Sequence, residues 1–136
     1  MLDLSHKKLE VYQLALKLLE EVYATTRQFP KEEMYVLTSQ LRRAAISVCS
    51  NLAEGASRVS WREKKRFYEI SRSSIVEIDT QFEIATVQKH LNKEQMKQIS
   101  QYLLSVFRML SKMIENLKER PTGHLPNPTI PGTNSI

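Results

Sequence analysis

The chain has 136 residues, enough for one domain with a real core, and its 41% hydrophobic and 26% charged content is that of an ordinary globular protein. Only three glycines and one cysteine occur, which argues against a turn-rich β architecture and excludes an intramolecular disulfide framework. No apolar run reaches the roughly 18 to 20 residues that span a bilayer. The start, Met1-Leu2-Asp3-Leu4-Ser5-His6, lacks the basic and apolar regions of a secretion signal, so a cytoplasmic location is expected.

The formal charge of +5 is unevenly spread. Residues 42–72 hold eight basic side chains (Arg42, Arg43, Arg58, Arg62, Lys64, Lys65, Arg66, Arg72) against three acidic ones (Glu54, Glu63, Glu69), and the remaining twelve of each sign cancel. A concentrated positive stretch points to anionic partners, nucleic acid before membrane surface.

Four long helical patterns follow one another. The first covers about residues 6–28 and stops at Phe29-Pro30, because the residue before proline avoids the α region. Its apolar residues form two adjoining stripes: Leu9, Tyr12, Leu16, Leu19 and Tyr23, then Val11, Leu14, Leu18 and Val22. The second helix is expected over about 31–55, with Gly55 as its C-terminal stop. Met34, Leu37, Leu41, Ala44/Ala45, Val48 and Leu52 make its core stripe. Cys49 lies beside that stripe and is read as a small buried hydrophobe rather than a nucleophile.

Ser60 with Glu63 three residues on is a capping box, and it starts a third helix over about 61–90. Phe67, Ile70, Ser74, Ile78, Phe82 and Ala85 are assigned to the core. Val76, Thr80, Ile84 and Val87 form a second stripe on the far side, a candidate oligomer interface; scattered surface apolars are the competing reading. Near the start of the same outer face stand Arg62, Lys65, Arg66 and Arg72. Asn92 with Gln95 repeats the capping pattern, and a fourth helix over about 93–119 carries a 3-4 spaced stripe from Met96 to Leu117. Short links between such helices predict an all-α, antiparallel up-down-up-down four-helix bundle over residues 1–120. Residues 121–136 hold four of the five prolines and are read as a disordered tail.

Catalytic and metal patterns are missing. No inward Glu-x-x-His, His-Glu-x-x-His or Gly-rich phosphate loop occurs, and Arg120-x-x-x-His124 falls in the tail. A non-enzyme with no metal and no cofactor is expected. Arg58, Arg62, Lys64, Lys65, Arg66 and Arg72 are the candidate phosphate contacts. Arg42 and Arg43 admit two readings, phosphate contact or a structural ion pair with Glu77 or Asp79 on the antiparallel neighbour. Trp61 either stacks on a base or packs at the hairpin end. The basic face lacks an adjoining apolar face free to insert, which disfavours membrane-surface binding.

The string Gln40-Leu41-Arg42-Arg43-Ala44-Ala45-Ile46-Ser47, continuing to Asn51-Leu52-Ala53-Glu54-Gly55, with the later Glu77-Ile78-Asp79-Thr80, resembles the four-helix-bundle proteins encoded in intervening sequences of bacterial 23S rRNA genes. The likeness covers about residues 7–119; Tyr35-Val36 stands where the family often has Tyr-Gly, and Cys49 where proline is frequent. The resemblance implies a bacterial cytoplasmic protein assembling as a ring-like homopentamer. It also implies kinship with basic, nucleic-acid-associated accessory proteins of diversity-generating reverse transcriptases. It supplies no catalytic residues. The combined expectation is a homo-oligomer binding nucleic acid, RNA favoured, without sequence preference; the alternative is a protein-interaction scaffold for an acidic partner.

Overall fold

The computed structural model describes residues 1–119; the tail assigned to 121–136 lies outside the described residues. A 3₁₀ turn at Ser5–Lys8 precedes α1 (Glu10–Thr26), followed by α2 (Ser39–Ser57), α3 (Trp61–Val87) and α4 (Lys93–Glu119), with no strand among the described residues. The four helices pack as one bundle. Hydrogen bonds across the helices fix their directions: Ser71 meets Val48, Ser74 meets Ser47, Arg72 meets Ser111, Arg42 meets Thr26 and Gln95 meets Gln28. Arg72–Ser111, Arg42–Thr26 and Gln95–Gln28 each set an early position against a late one, and between α2 and α3 the partner number falls from Val48 to Ser47 as the residue number rises from Ser71 to Ser74, so neighbours run antiparallel.

Local chemistry explains the ends. α1 stops where Phe29 turns into the core ahead of Pro30. Ser60 Oγ accepts the Glu63 amide at 3.3 Å and opens α3. α3 closes at Val87, three residues earlier than the periodicity suggests. Lys89 takes φ +64°, its amide bonds the Thr86 carbonyl, and the His90 amide bonds the Ala85 carbonyl, a Schellman ending with lysine in the left-handed position. Asn92 and Gln95 exchange side-chain-to-amide bonds of 3.0 and 2.8 Å at the start of α4.

Helix two differs most from its expected form. Instead of one α-helix from residue 31, the chain makes a 3₁₀ turn at Lys31–Glu33, then a π-helical turn at Met34–Thr38 before α2. A π turn inserts an extra residue into the helical period. Met34 therefore leaves the core stripe, and Met34, Tyr35 and Val36 all face solvent while Leu37 points inward.

Gly55 is buried inside α2 rather than ending it. A Cβ there would stand 2.7 Å from Tyr68 Cε1 and 3.1 Å from Phe67 Cβ. The missing side chain admits the Tyr68 ring, and small residues continue the close crossing: Ser71 Oγ donates to the Val48 carbonyl at 2.8 Å and Ser74 Oγ lies 2.9 Å from Ser47 Oγ. This seam rotates the inner face of α3 near its start. Tyr68, Ser71 and Ile75 are buried there, in place of the expected Phe67 and Ile70. Farther along, Ser74, Ile78, Phe82 and Ala85 are buried where the periodicity puts them. α1 buries Val11, Ala15, Leu18 and Val22; of the other α1 stripe, Leu16 is exposed and the rest partly covered.

Candidate nucleic-acid interface

The cationic set begins at the α2–α3 corner. Arg62 and Arg66 are exposed and Lys65 is half-exposed, close together on the outer side of the first turns of α3. None of the three has a carboxylate partner among the described residues. The Arg62 guanidinium lies 5.2 Å from the Trp61 ring centroid, and that of Arg66 5.1 Å from Phe67. Such stacking restricts the arginines yet leaves their N–H edges available for phosphate oxygens. Trp61 is half-buried and packs against the core, as the packing reading requires.

The other three predicted contacts have work inside the chain. Arg58 ion-pairs with Glu54 and lies 3.8 Å from Glu63, with its guanidinium over Phe67. Lys64 Nζ donates to the carbonyls of Ala56 at 3.0 Å and Gly55 at 3.4 Å, satisfying the end of α2. Arg72 reaches sideways to α4, bonding Ser111 Oγ at 3.0 Å and covering Phe107. Proximity in sequence grouped six cations; the tertiary contacts separate them into two sets of three.

The ion pair expected between Arg42 or Arg43 and Glu77 or Asp79 does not form within the chain. Arg42 turns to α1, where its Nε donates to Thr26 Oγ1 at 2.9 Å and its guanidinium sits 4.5 Å from the Tyr23 centroid. Arg43, Glu77 and Asp79 are all exposed, and Glu77 accepts only a 3.4 Å bond from Gln81. The register explains this. Positions 47 and 74 touch, so Arg43 lies level with Glu77, but both point out of the bundle rather than across the seam.

Past the basic turns the outer side of α3 becomes apolar, with Val76, Ile84 and Val87 exposed by 52%, 46% and 72% and Thr80 exposed between them. The description 23S rRNA-intervening sequence protein belongs to a family that matches residues 7–112. The chain belongs to that family. No curated protein matches it in sequence. Among solved structures it is similar to a protein of unknown function from the S23 ribosomal protein family of Bacteroides thetaiotaomicron, with a TM-score of 0.70 at 17% identity over 77% of this chain and 98% of that one. At that identity the likeness concerns the fold.

Placed in the bundle, the string that marks this 23S rRNA-intervening sequence protein is largely architectural. Leu41, Ala44, Ala45 and Leu52 are core, Arg42 ties α2 to α1, and Asn51 Nδ2 bonds the Ser47 carbonyl at 2.9 Å. Glu54 holds Arg58, and Gly55 makes room for Tyr68. At the opposite end His90 Nε2 meets Glu33 Oε2 at 2.9 Å, clipping the two inter-helix links together.

Two concave surfaces stand out. One, of about 390 Å³ between α3 and α4, is walled by Ile75, Val76, Leu103, Leu104 and Phe107 with Asp79 as its one carboxylate. The other, of about 470 Å³, is lined by Met34, Tyr35, Thr38, Ser39, Arg42, Arg43 and Ile46. Sequence periodicity missed the second, because an unbroken helix would have sent Met34 inward; the run Met34-Tyr35-Val36 was the available signal. Among the described residues no group of three His, Cys, Asp or Glu is placed to hold a metal. Burial pushes the Cys49 thiol up to about 11. No helix among the described residues is long and apolar enough to cross a membrane.

Proposed function

We propose that this 23S rRNA-intervening sequence protein is a non-catalytic, self-associating binding protein of the cytoplasm. It grips a nucleic-acid backbone, RNA by preference, through Arg62, Lys65 and Arg66. The observation carrying this reading is that trio: three neighbouring cations on one helix face, free of carboxylate partners among the described residues, two of them held over aromatic rings. Arg58, Lys64 and Arg72 contribute positive potential while serving structural bonds. The preference for RNA rests on the family resemblance, since no base-reading motif occurs in the sequence. Self-association is supported by the apolar stripe Val76, Thr80, Ile84 and Val87 on the same helix. Copies joined near that stripe gather their trios, and multivalency strengthens a weak individual grip.

Fluorescence anisotropy with a labelled 20-nucleotide single-stranded RNA, and with DNA of equal length, tests the reading. Binding at 50 mM salt is expected, with RNA tighter and with the Arg62→Glu/Lys65→Glu/Arg66→Glu variant losing it. Absence of binding at that salt, or a triple variant binding like the wild type, rejects the reading. Co-purification of an acidic protein that stays bound after RNase treatment would favour the scaffold reading instead.

A further inference from the structure

The groove between α3 and α4 has a floor of Ile75 and Leu103, both buried, and walls of Val76 and Leu104, exposed by 52% and 48%. Phe107 bounds it toward the α2–α3 corner, and Asp79 stands nearer the other end without an ion-pair partner among the described residues. Open apolar surface of this kind marks a place of contact. The direction in which the chain leaves the bundle indicates what covers it. The Arg72–Ser111 bond sets the register of α3 and α4, so α4 ends at Glu119 level with the first turns of α3. From that end Phe107 lies about 18 Å back along the helix, and Ser100 at the far end of the groove about 28 Å, at 1.5 Å per residue. Residues 120–136 follow, and at 3.1 Å per residue in polyproline form they reach roughly 50 Å. That is enough to reverse at Pro121-Thr122-Gly123 and return along the groove, which brings Leu125 to Pro131 level with it. We infer that the segment Leu125–Pro131 docks in the α3–α4 groove of its own chain, with Leu125 and Ile130 as its apolar anchors.

The chemistry of both partners supports this. Four of the residues from 121 to 131 are proline, which has no N–H to leave unpaired against an apolar wall and a φ already fixed. The composition that keeps such a segment from building a core of its own therefore also makes it cheap to order on a preformed surface. Grooves with aromatic and aliphatic walls are the surfaces on which polyproline segments dock. Residues 120–136 contain no acidic side chain, so nothing in them opposes Asp79. The competing groove between α1 and α4 is bordered by Glu21, Gln98 and Gln101, a poorer match for Leu125 and Ile130. Tethering favours the groove of the same chain over that of another copy, because the segment meets it at a high effective concentration. The family match ends at residue 112, so this contact belongs to what the chain adds to the shared bundle. It leaves Thr80, Ile84 and Val87 open and stands independently of the nucleic-acid and self-association readings.

Paramagnetic broadening in the full-length chain tests the inference. A nitroxide is attached to Thr129→Cys in a Cys49→Ala background, and amide signals of the nitrogen-15-labelled protein are compared with and without reduction of the label. The signals of Val76, Leu104 and Phe107 should lose most of their intensity, while those of Leu14 and Glu21 on α1 keep theirs. Undiminished signals along the groove, or losses centred on Leu14 and Glu21, overturn the inference. So does an equal loss when nitrogen-15 protein without a label is mixed with spin-labelled protein lacking nitrogen-15, since the segment then reaches a second copy. Should circular dichroism show the labelled chain misfolded, Leu125→Asp/Ile130→Asp replaces it, altering no residue of the bundle. The amide resonances of Val76, Leu104 and Phe107 should then shift from their wild-type positions, and unshifted resonances overturn the inference.

Discussion

Tyr68 can sit against α2 only because residue 55 has no side chain. A Cβ at Gly55 would come within 2.7 Å of the ring and 3.1 Å of Phe67 Cβ, and Tyr68 is itself buried against the core, so little room exists for relaxation. Gly55→Ala is therefore expected to destabilise the fold by roughly 1 to 3 kcal/mol despite alanine's better helix propensity; a thermal melt equal to wild type would contradict it. Cys49 makes a second point at this scale. Burial holds its thiol protonated up to about pH 11, against an ordinary value of 9.0. The sign follows: below pH 9 the thiol is neutral in both states, and above it the unfolded chain ionises first, so its stabilisation is lost between about pH 9 and 11. Relative to Cys49→Ala, the wild type should lose about 2 to 3 kcal/mol across that window in denaturant melts. At neutral pH native Cys49 should also resist iodoacetamide far longer than in the unfolded chain.

Among the elements, α3 has the most demands placed on it. Its inner side must fit the small-residue seam of α2, its flank supplies Arg72 to Ser111 of α4, and its outer side carries first a cationic and then an apolar segment. Those demands explain why its periodicity reads ambiguously: Phe67 and Ile70 look like core residues, yet Tyr68 and Ser71 occupy the seam. The end of α3 carries strain that its packing tolerates. Lys89 adopts φ +64°, where a Cβ is disfavoured and glycine is the usual residue. Lys89→Gly should raise stability by about 0.5 to 1 kcal/mol, read as a higher midpoint in thermal denaturation. An unchanged or lower midpoint would show that the lysine side chain contributes there more than its backbone costs.

At the scale of the whole molecule, the net charge of +5 overstates what a ligand can reach. Arg58 is neutralised at the corner by Glu54 and Glu63, and Lys64 and Arg72 are bound into the fold, which leaves three principal contacts per chain. For single-stranded RNA the salt slope per phosphate is about 0.7, so three contacts give a slope near 2 for one chain. Raising salt from 50 to 300 mM should then weaken binding roughly 40-fold per engaged chain, and more steeply when several chains share one strand. A slope near zero in the anisotropy titration would mean that phosphates are not what the trio holds.

The existence of four helices, their capping boxes and the placement of the positive charge were determined by the sequence alone, because Ser60 with Glu63 and Asn92 with Gln95 are local signals and each long apolar period survives along most of its helix. The family string was equally legible, though its meaning was not. Tertiary structure decided that Lys64 and Arg72 are engaged, since their partners lie across a turn or far along the chain, whereas Arg58 pairs with Glu54 at a local four-residue spacing. It decided the partner of Arg42, because α1 approaches it more closely than Glu77 does. It also decided which way Met34 faces, because a single π turn shifts the period by one residue and takes Met34 out of the expected core stripe to join Tyr35 and Val36 on an open apolar surface.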